Sequence, residues 1–549
     1  MGQNKKSSER NHLITFFHRL IHYGVLQFGV LSLAIVILFP LISAGVASWI
    51  SMTGLHGLHI SVQAIDIVTG TGCLSAVAIA FLFNLRSVIY FDRTGRNYSV
   101  DHGKYRRDFG SLVDYFTDAD PHQLNLEDLP EASWRDPSID GIILGHYGDT
   151  LIHRPTKTPG NVGLFGLPGS GKTTCQVIPT ALRFGGSCLV IDIKGDIFTY
   201  AQDVRRIRTF SPADPIHSLH YDPFAGIRRL SIQERVTFLD KIGRVLVEED
   251  PKGDGKFFSD GGRDFWTGVS LYLFHKDPNI TFGEIVNRIL LGNAFDWVTE
   301  IIQSDCSEAK AYLSSYYGTN EKNVAGCYNA IVRAVRPFST GEIAALFDGV
   351  GDCIKPADLE NGFDIYLEIP QDKIEVYSPV MTIIVQQMMD FFMMRPDSSS
   401  GTDLRPILLL LDEFPQLRFE FNQISAALST LRSKKVTILM AQQSIAQIEK
   451  RYGENGCREI IDCCSILSLF SAQDPRSRKY FSDLVGTKKV LKLSNSDSAK
   501  DFSRSVQEAR ELIFQPEDLG DLGGKVLIVY NGKYVLADRC ACYDESIKF

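Results

Sequence analysis

The sequence predicts an α/β fold in which a parallel β-sheet is interrupted by an all-helical insertion and preceded by two membrane-spanning helices. Short apolar runs alternate with helical patterns along much of residues 160–530, which is typical of parallel sheets. Residues 228–345 differ because they contain amphipathic helical patterns and no convincing strand. Near the start, residues 24–50 and 67–85 carry no charged side chain. Such lengths can cross a hydrocarbon core, which needs about 20 apolar residues.

The two uncharged stretches predict membrane helices over 24–50 and about 65–85. A cleaved signal peptide is the alternative for the first, but the stretch exceeds a normal apolar signal region. Gly70 and Gly72 leave a buried core helix as the alternative for the second. Lys and Arg flank both stretches and are absent from 51–66. We therefore expect a membrane anchor at 1–107 with both termini in the cytoplasm.

A glycine-rich motif follows the strand predicted over 162–165. Residues 166–173 read GLPGSGKT, which fits G-x-x-x-x-G-K-[ST] throughout. In this motif backbone N–H groups surround phosphates, the lysine reaches the β/γ oxygens, and the final hydroxyl ligates Mg²⁺. The sequence therefore predicts a site for ATP and Mg²⁺; a chance glycine turn is disfavoured by the strand–loop–helix context. The predicted nucleotide contacts are Gly166, Gly169, Ser170, Gly171, Lys172, Thr173 and Thr174, with Thr173 also a metal ligand.

A pair of acidic residues follows a second apolar run that is predicted to form a strand. The apolar run at 407–411 is typical of a central parallel strand, and Asp412 and Glu413 follow it directly. Asp412 at that position can hold the Mg²⁺ hydration shell, and Glu413 can polarise the attacking water. A strand that ends in acids by chance is the alternative. The pair favours hydrolysis over simple nucleotide binding.

Charge and cysteine content narrow the classes of function. The net charge is −8, which divides into +6 for residues 1–107 and −14 for the remainder. Bulk charge therefore does not indicate a nucleic-acid binder, and DNA contact would need a local basic surface. Anionic lipid explains the basic residues near the membrane. The 11 cysteines form no C-x-x-C pair, so we expect reduced cytoplasmic thiols.

The remaining patterns outline the domains. Further strands are predicted over 189–192, 363–369 and 436–440, with 526–530 closing the chain, and helices over 232–247 and 325–335. Residues 248–262 are predicted to form a mobile loop, and the Ser-rich 494–505 a surface hairpin or loop. We expect a nucleotide-binding domain in two parts, 108–227 and 346–549, on either side of an all-α domain at 228–345.

Seven short motifs follow one another in a specific order along the chain. They are V-I-P at 177–179, D-I-K-G-D at 192–196, D-P-F at 222–224, F-W at 265–266, L-D-E-F at 411–414, Q-S-I-A-Q at 443–447 and Y-G at 452–453. In order and spacing the sequence resembles the TraD/TraG family of type IV secretion coupling proteins, the hexameric ATPases of bacterial conjugation. Two departures, Asp222 in place of the usual Asn and the Gly-Leu-Pro opening of the loop, remove no catalytic group.

The resemblance implies a RecA-like P-loop nucleotide-binding domain, an all-α domain facing the cytoplasm, and a homo-hexameric ring around a channel in the bacterial inner membrane. It places Gln443 where ring ATPases carry a γ-phosphate sensor, and Arg432 where an arginine finger from a neighbouring subunit is expected. A solvated helix arginine explains Arg432 equally well. The expected catalytic residues are Lys172, Glu413, Gln443 and Arg432.

These expectations combine into an inner-membrane ATPase that passes a relaxase–DNA complex or a protein cargo to the other components of a type IV secretion channel. One alternative is an effector-protein receptor ATPase without DNA transport. Another is an FtsK-type chromosome translocase, which would normally carry more membrane spans and a C-terminal DNA-reading domain. DNA and protein cargo both stay open.

Overall fold

A computed structural model of the protein describes residues 140–147, 150–249, 254–498 and 501–543. They fall into two compact units, each described by itself: 487–513, and the rest of the described chain. In these described ranges no helix has the length and apolar character needed to cross a membrane. The spans predicted over 24–50 and 65–85 lie outside the described residues and stay predictions.

An eleven-stranded sheet organises the larger unit. Its strands run in the order β2-β1-β13-β12-β9-β3-β8-β7-β4-β6-β5. Their bounds are β1 (Gly141–Tyr147), β2 (Thr150–Pro155), β3 (Asn161–Phe165), β4 (Ser187–Asp192), β5 (Ile207–Phe210), β6 (Asp364–Glu368), β7 (Ile407–Leu411), β8 (Val436–Gln442), β9 (Cys464–Leu469), β12 (Lys525–Tyr530) and β13 (Lys533–Asp538).

Seven adjacent strands, from β9 to β5, pair in parallel. Every residue of β3, β4, β7 and β8 is buried, as expected for strands covered on both faces. This parallel sheet confirms the predicted α/β class. The carboxyl ends of its strands meet at one edge, called here the carboxyl edge, and their starts form the opposite amino edge.

The other four strands correct the prediction. The strand predicted at 526–530 is β12, which runs antiparallel to β9 and does not close the chain. β13 follows it after a two-residue turn at Asn531-Gly532, where φ is 48° and 72°. Asn-Gly adopts these left-handed angles readily, which is why the chain reverses there. β1 then extends the sheet antiparallel to β13, and β2 pairs antiparallel with β1 at the edge.

Helices cover the sheet and fill the segment between β5 and β6. In chain order they are α1 (Ile178–Arg183), α2 (Asp196–Ala201), α3 (Ile232–Leu246), α4 (Asp254–Lys276), α5 (Phe282–Leu291), α6 (Ala294–Gln303), α7 (Ser307–Leu313), α8 (Glu321–Val335), α9 (Gly341–Leu346), α10 (Pro356–Glu360), α11 (Ile374–Met393), α12 (Phe421–Thr430), α13 (Ile445–Asp462) and α14 (Pro475–Val485). α3 to α10 lie between β5 and β6 in the chain. The domain boundaries themselves stay a prediction.

The prediction of a mobile loop over 248–262 is wrong from residue 254 onward, because α4 begins at Asp254. The glycines that suggested a loop instead allow close helix packing. A Cβ at Gly261 would lie 2.3 Å from the Cys327 sulfur on α8, and one at Gly262 would lie 2.9 Å from the Ala330 Cβ. α4 also carries the Phe265-Trp266 pair, which is fully buried.

The smaller described piece is a long antiparallel hairpin. β10 (Thr487–Ser498) pairs with β11 (Asp501–Leu512) in continuous register. The Ser-rich 494–505 segment lies at its end, where a hairpin or loop was predicted.

Candidate nucleotide site

The glycine-rich loop leaves β3 at the carboxyl edge of the parallel sheet. Its first N–H, from Gly166, donates to the Gln442 carbonyl at 3.2 Å, which ties the loop to the end of β8. Gly169 and Gly171 have φ of 77° and 91°, angles that residues with a side chain adopt at a cost. These two glycines therefore let the loop turn tightly at positions where a side chain would strain the backbone.

Lys172 is the second-last residue of this loop, and only 6% of its surface is exposed. Its ammonium donates to the Gly166 carbonyl and, at 3.5 Å, to the Leu167 carbonyl. Burial lowers the pKa of Lys172, while the nearby Glu413 and Asp412 oppose that shift. The ammonium is thus held inside the loop between carbonyls and two carboxylates.

The Ser170 hydroxyl tests whether this loop fits a phosphate. Its oxygen is buried and has no hydrogen-bond partner in the part of the chain that the structure describes. A buried hydroxyl without a partner costs free energy, so such a group is expected to meet a ligand. A phosphate oxygen beside the loop would satisfy it, and the residues present therefore fit a nucleotide.

Asp412 and Glu413 lie at the end of β7, on the same edge as the loop. Burial and the neighbouring Glu413 raise the pKa of Asp412 to about 6. The backbone of Glu413 is left-handed, with φ 54° and ψ 46°, and its N–H donates to the Asp412 carboxylate at 3.2 Å. A partly buried carboxylate with a raised pKa favours binding a cation, which fits the predicted Mg²⁺ role.

Gln443 joins this group from the end of β8, the strand next to β7. Its side-chain amide donates to the two carboxylate oxygens of Glu413 at 3.3 and 3.4 Å. Its backbone N–H is held by the Gln447 side chain at 3.1 Å. The structure thus brings Lys172, Asp412, Glu413 and Gln443 together at the carboxyl edge, and the catalytic roles given to them stay predictions.

Two more carboxylates lie at this edge and were not predicted as site residues. Asp192 ends β4, is almost fully buried, and accepts N–H groups from Lys194, Gly195 and Phe198 at 2.8–3.3 Å. Glu368 pairs with it at the end of β6, where burial and Asp192 raise the pKa of Glu368 to about 7. The sequence signal that could have identified them was an acidic residue at or near the end of the strands predicted over 189–192 and 363–369.

Arg432 lies elsewhere. It is exposed in the turn just before β8, at the amino edge of the sheet. β8 has seven residues, and at about 3.3 Å per residue it separates Arg432 from the loop by about 20 Å. Arg432 therefore does not reach the nucleotide site of its own chain.

The assembled residues suit one kind of chemistry. The loop offers the Lys172 ammonium and the Ser170 hydroxyl for an anion. Thr173 and Asp412 offer oxygens for a hard cation, and Glu413 offers a carboxylate held by Gln443. These are the parts needed for phosphoryl transfer to water.

Comparison with solved structures supports the fold. The bacterial conjugative coupling protein TrwBdeltaN70 superimposes with a TM-score of 0.56 at 14% identity, over 79% of this chain and 92% of that protein. Its complex with the non-hydrolysable ATP analogue ADPNP gives 0.55. At this identity the likeness shows a shared fold alone, a mixed α/β fold with a large parallel sheet.

Sequence relatives extend the comparison. Protein VirD4 of Rhizobium rhizogenes is 24% identical over 407 residues, which are 70% of this chain and 56% of that protein. The conjugal transfer protein TraG of Escherichia coli is 22% identical, over 70% and 65% respectively. The chain thus spans between half and two-thirds of the length of these relatives. The family model for type IV secretory system conjugative DNA transfer matches residues 147–545, and the protein therefore belongs to this family of type IV coupling proteins.

Proposed function

We propose that this protein is the membrane-anchored ATPase that couples a relaxase–DNA complex to a type IV secretion channel during conjugation. The observation that carries the proposal is the meeting of Lys172, Asp412 and the Glu413–Gln443 pair beside one glycine-rich loop. Two related proteins support it, since TraG is a conjugal transfer protein and the coupling protein TrwB was solved in complex with ADP and Mg²⁺.

Hydrolysis would proceed by direct attack of water on the γ-phosphate. Glu413 would orient that water and accept its proton, because the Gln443 amide holds the carboxylate in place from one side. Lys172 would exchange its carbonyl contacts for the β/γ oxygens and offset the charge that develops there. Mg²⁺, when bound by Thr173 and through water by Asp412, would neutralise the phosphates.

Gln443 would also report the state of the site. Its amide donates to Glu413. A γ-phosphate beside Glu413 offers a competing acceptor, so the amide could turn toward it before hydrolysis and return afterwards. Because Gln443 lies between β8 and α13, this exchange would pass a signal to α13.

The whole-protein organisation extends the proposal. Residues 1–107 would anchor the chain in the bacterial inner membrane, and the helical segment at 228–345 would face the cytoplasm between the two parts of the nucleotide-binding domain, 108–227 and 346–549. A homo-hexameric ring would surround the channel, and Arg432 would complete a neighbour's site.

The proposal is tested by the ATPase rate of the full chain in lipid nanodiscs, with and without single- or double-stranded DNA. We expect measurable hydrolysis that DNA raises. Lys172→Ala should abolish it, whereas Lys157→Ala, an exposed lysine before β3, should leave it unchanged. Hydrolysis without any DNA response would favour the protein-receptor alternative, and equal rates in the two variants would refute the site.

A further inference from the structure

The last described residues, 539–543, pass beside the glycine-rich loop and are called here the C-terminal strap. One end is fixed by Arg539, which donates to the Lys525 carbonyl at 3.1 Å and the Phe470 carbonyl at 3.0 Å. Its guanidinium carbon lies 5.2 Å from the centre of the Phe470 ring. Phe470 in turn donates its N–H to Phe165, the residue just before the loop, at 2.8 Å.

The other end of the strap meets the helix that follows the loop. That helix starts with a wide turn over Thr173–Val177, in which the Ile178 N–H reaches back to the Thr173 carbonyl. The Thr174 carbonyl accepts a hydrogen bond from the Cys542 N–H at 2.8 Å. Such π turns occur frequently at functional sites. The strap is therefore part of the wall around the first turn, where the phosphates would bind.

Two tyrosines lie at this end of the strap. Tyr200, on α2, is 44% exposed, and Tyr543, the last described residue, is 69% exposed. The Tyr200 hydroxyl shares a hydrogen bond with the Cys542 thiol, and this bond raises the pKa of Tyr200. Cys542 thus contacts both Tyr200, through its thiol, and the Thr174 carbonyl, through its backbone N–H.

The position matters because Thr174 marks the end of the phosphate site. Glycine-rich loops of this type cradle the α- and β-phosphates on the N–H groups that lead into the helix. The ribose and base continue beyond the α-phosphate, so they need a surface next to the first turn. Exposed aromatic rings suit a base, since every base presents a π-face that can stack.

We propose that Tyr200 and Tyr543, positioned by the C-terminal strap, form the surface on which the base of the bound nucleotide stacks. The inference rests on the proposed nucleotide site and adds the residues that contact its base. Stacking does not read the hydrogen-bonding edge of the base, so ATP and GTP should bind with similar affinity.

The test compares two ligands by calorimetry on the full chain: Mg²⁺-ATP and Mg²⁺-tripolyphosphate, which lacks ribose and base. Tyr200→Ala and Tyr543→Ala should each weaken ATP binding by about tenfold. Both should leave tripolyphosphate binding unchanged, which also shows that the variants are folded. Tyr543→Phe keeps the ring and should restore ATP affinity. Tyr200→Phe keeps the ring but loses the hydroxyl that contacts Cys542, so it should restore most of the affinity. Tyr317→Ala removes an exposed tyrosine of the helical segment and should change neither ligand.

Each other outcome decides against the inference. An equal loss for both ligands would mean that the tyrosines only support the loop, and no loss for either would mean that the base lies elsewhere. In both cases the wild type still binds nucleotide and the proposed function stands. A wild type that binds neither ligand would refute the nucleotide site itself.

Discussion

Replacing Asp412 by Asn should stabilise the nucleotide-free protein while weakening its response to Mg²⁺-ATP. Asp412 is a carboxylate held at a partly buried strand end beside Glu413, and its pKa is raised from 3.8 to about 6. A raised acid pKa means that the folded state disfavours the charge. The folded protein therefore loses stability as the pH rises from about 4 to 6, and the loss persists above that.

The size of the effect follows from the two pKa values. Their difference corresponds to about 3 kcal/mol at neutral pH. Solvent reaches part of the side chain, and an amide keeps the acceptor for the Glu413 N–H, so we expect a gain of about 1–2 kcal/mol. For a unit of this size that raises the melting temperature by about 1–2 °C.

Thermal unfolding of the full chain at pH 7.5 and pH 4.5 measures both effects. Asp412→Asn should melt higher than wild type at pH 7.5, with a smaller difference at pH 4.5. Added Mg²⁺-ATP should raise the wild-type melting temperature through binding and raise that of the variant much less. Asp372→Asn, which removes an exposed carboxylate after β6, is the matched control. A variant that melts lower than wild type at pH 7.5 would refute the reasoning.

Three further predictions concern catalysis, assembly and stability. Glu413→Gln should lower the ATPase rate by about 10²-fold or more while calorimetry still shows ATP binding; a native rate would mean that another group orients the water. Arg432→Ala should be inactive alone but should regain some hydrolysis when mixed with Lys172→Ala, because an arginine finger acting between subunits raises the turnover rate by about 10³-fold. Near-native activity of Arg432→Ala alone would identify Arg432 as a solvated surface arginine. Asp364→Asn removes the buried partner of Arg205, 2.7 Å away, and should cost about 3–5 kcal/mol in urea unfolding; a loss below 1 kcal/mol would contradict that role.

The parallel strands were predictable because burial on both faces leaves a plain apolar run, as in β7 and β8. β2 was missed because it contains His153 and Arg154, which interrupt that pattern although both are buried. Arg154 donates to the Gly160 carbonyl and, at 3.1 Å, to the Thr437 hydroxyl, and no local sequence pattern contains these contacts. The hairpin of β12 and β13 did carry a readable signal in Asn531-Gly532.

The candidate nucleotide site was also predictable only in part. Motif spacing identified the loop and the acidic pair, since both lie within a few consecutive residues. The contact between Glu413 and Gln443 depends on β7 and β8 being neighbours, which sequence spacing does not state. Glu368 and Cys542 reach the site from distant parts of the chain, so only the tertiary fold brings them there.

The opposite positions of Arg432 and the glycine-rich loop constrain the symmetry of any active assembly. They lie at the amino and carboxyl edges of one sheet, so a single copy presents the two groups in opposite directions. A site completed by Arg432 requires the amino edge of one copy to face the carboxyl edge of the next. When that contact joins two different surfaces and leaves one of each unused, further copies add head to tail, and a rotation that closes on itself makes the assembly a ring.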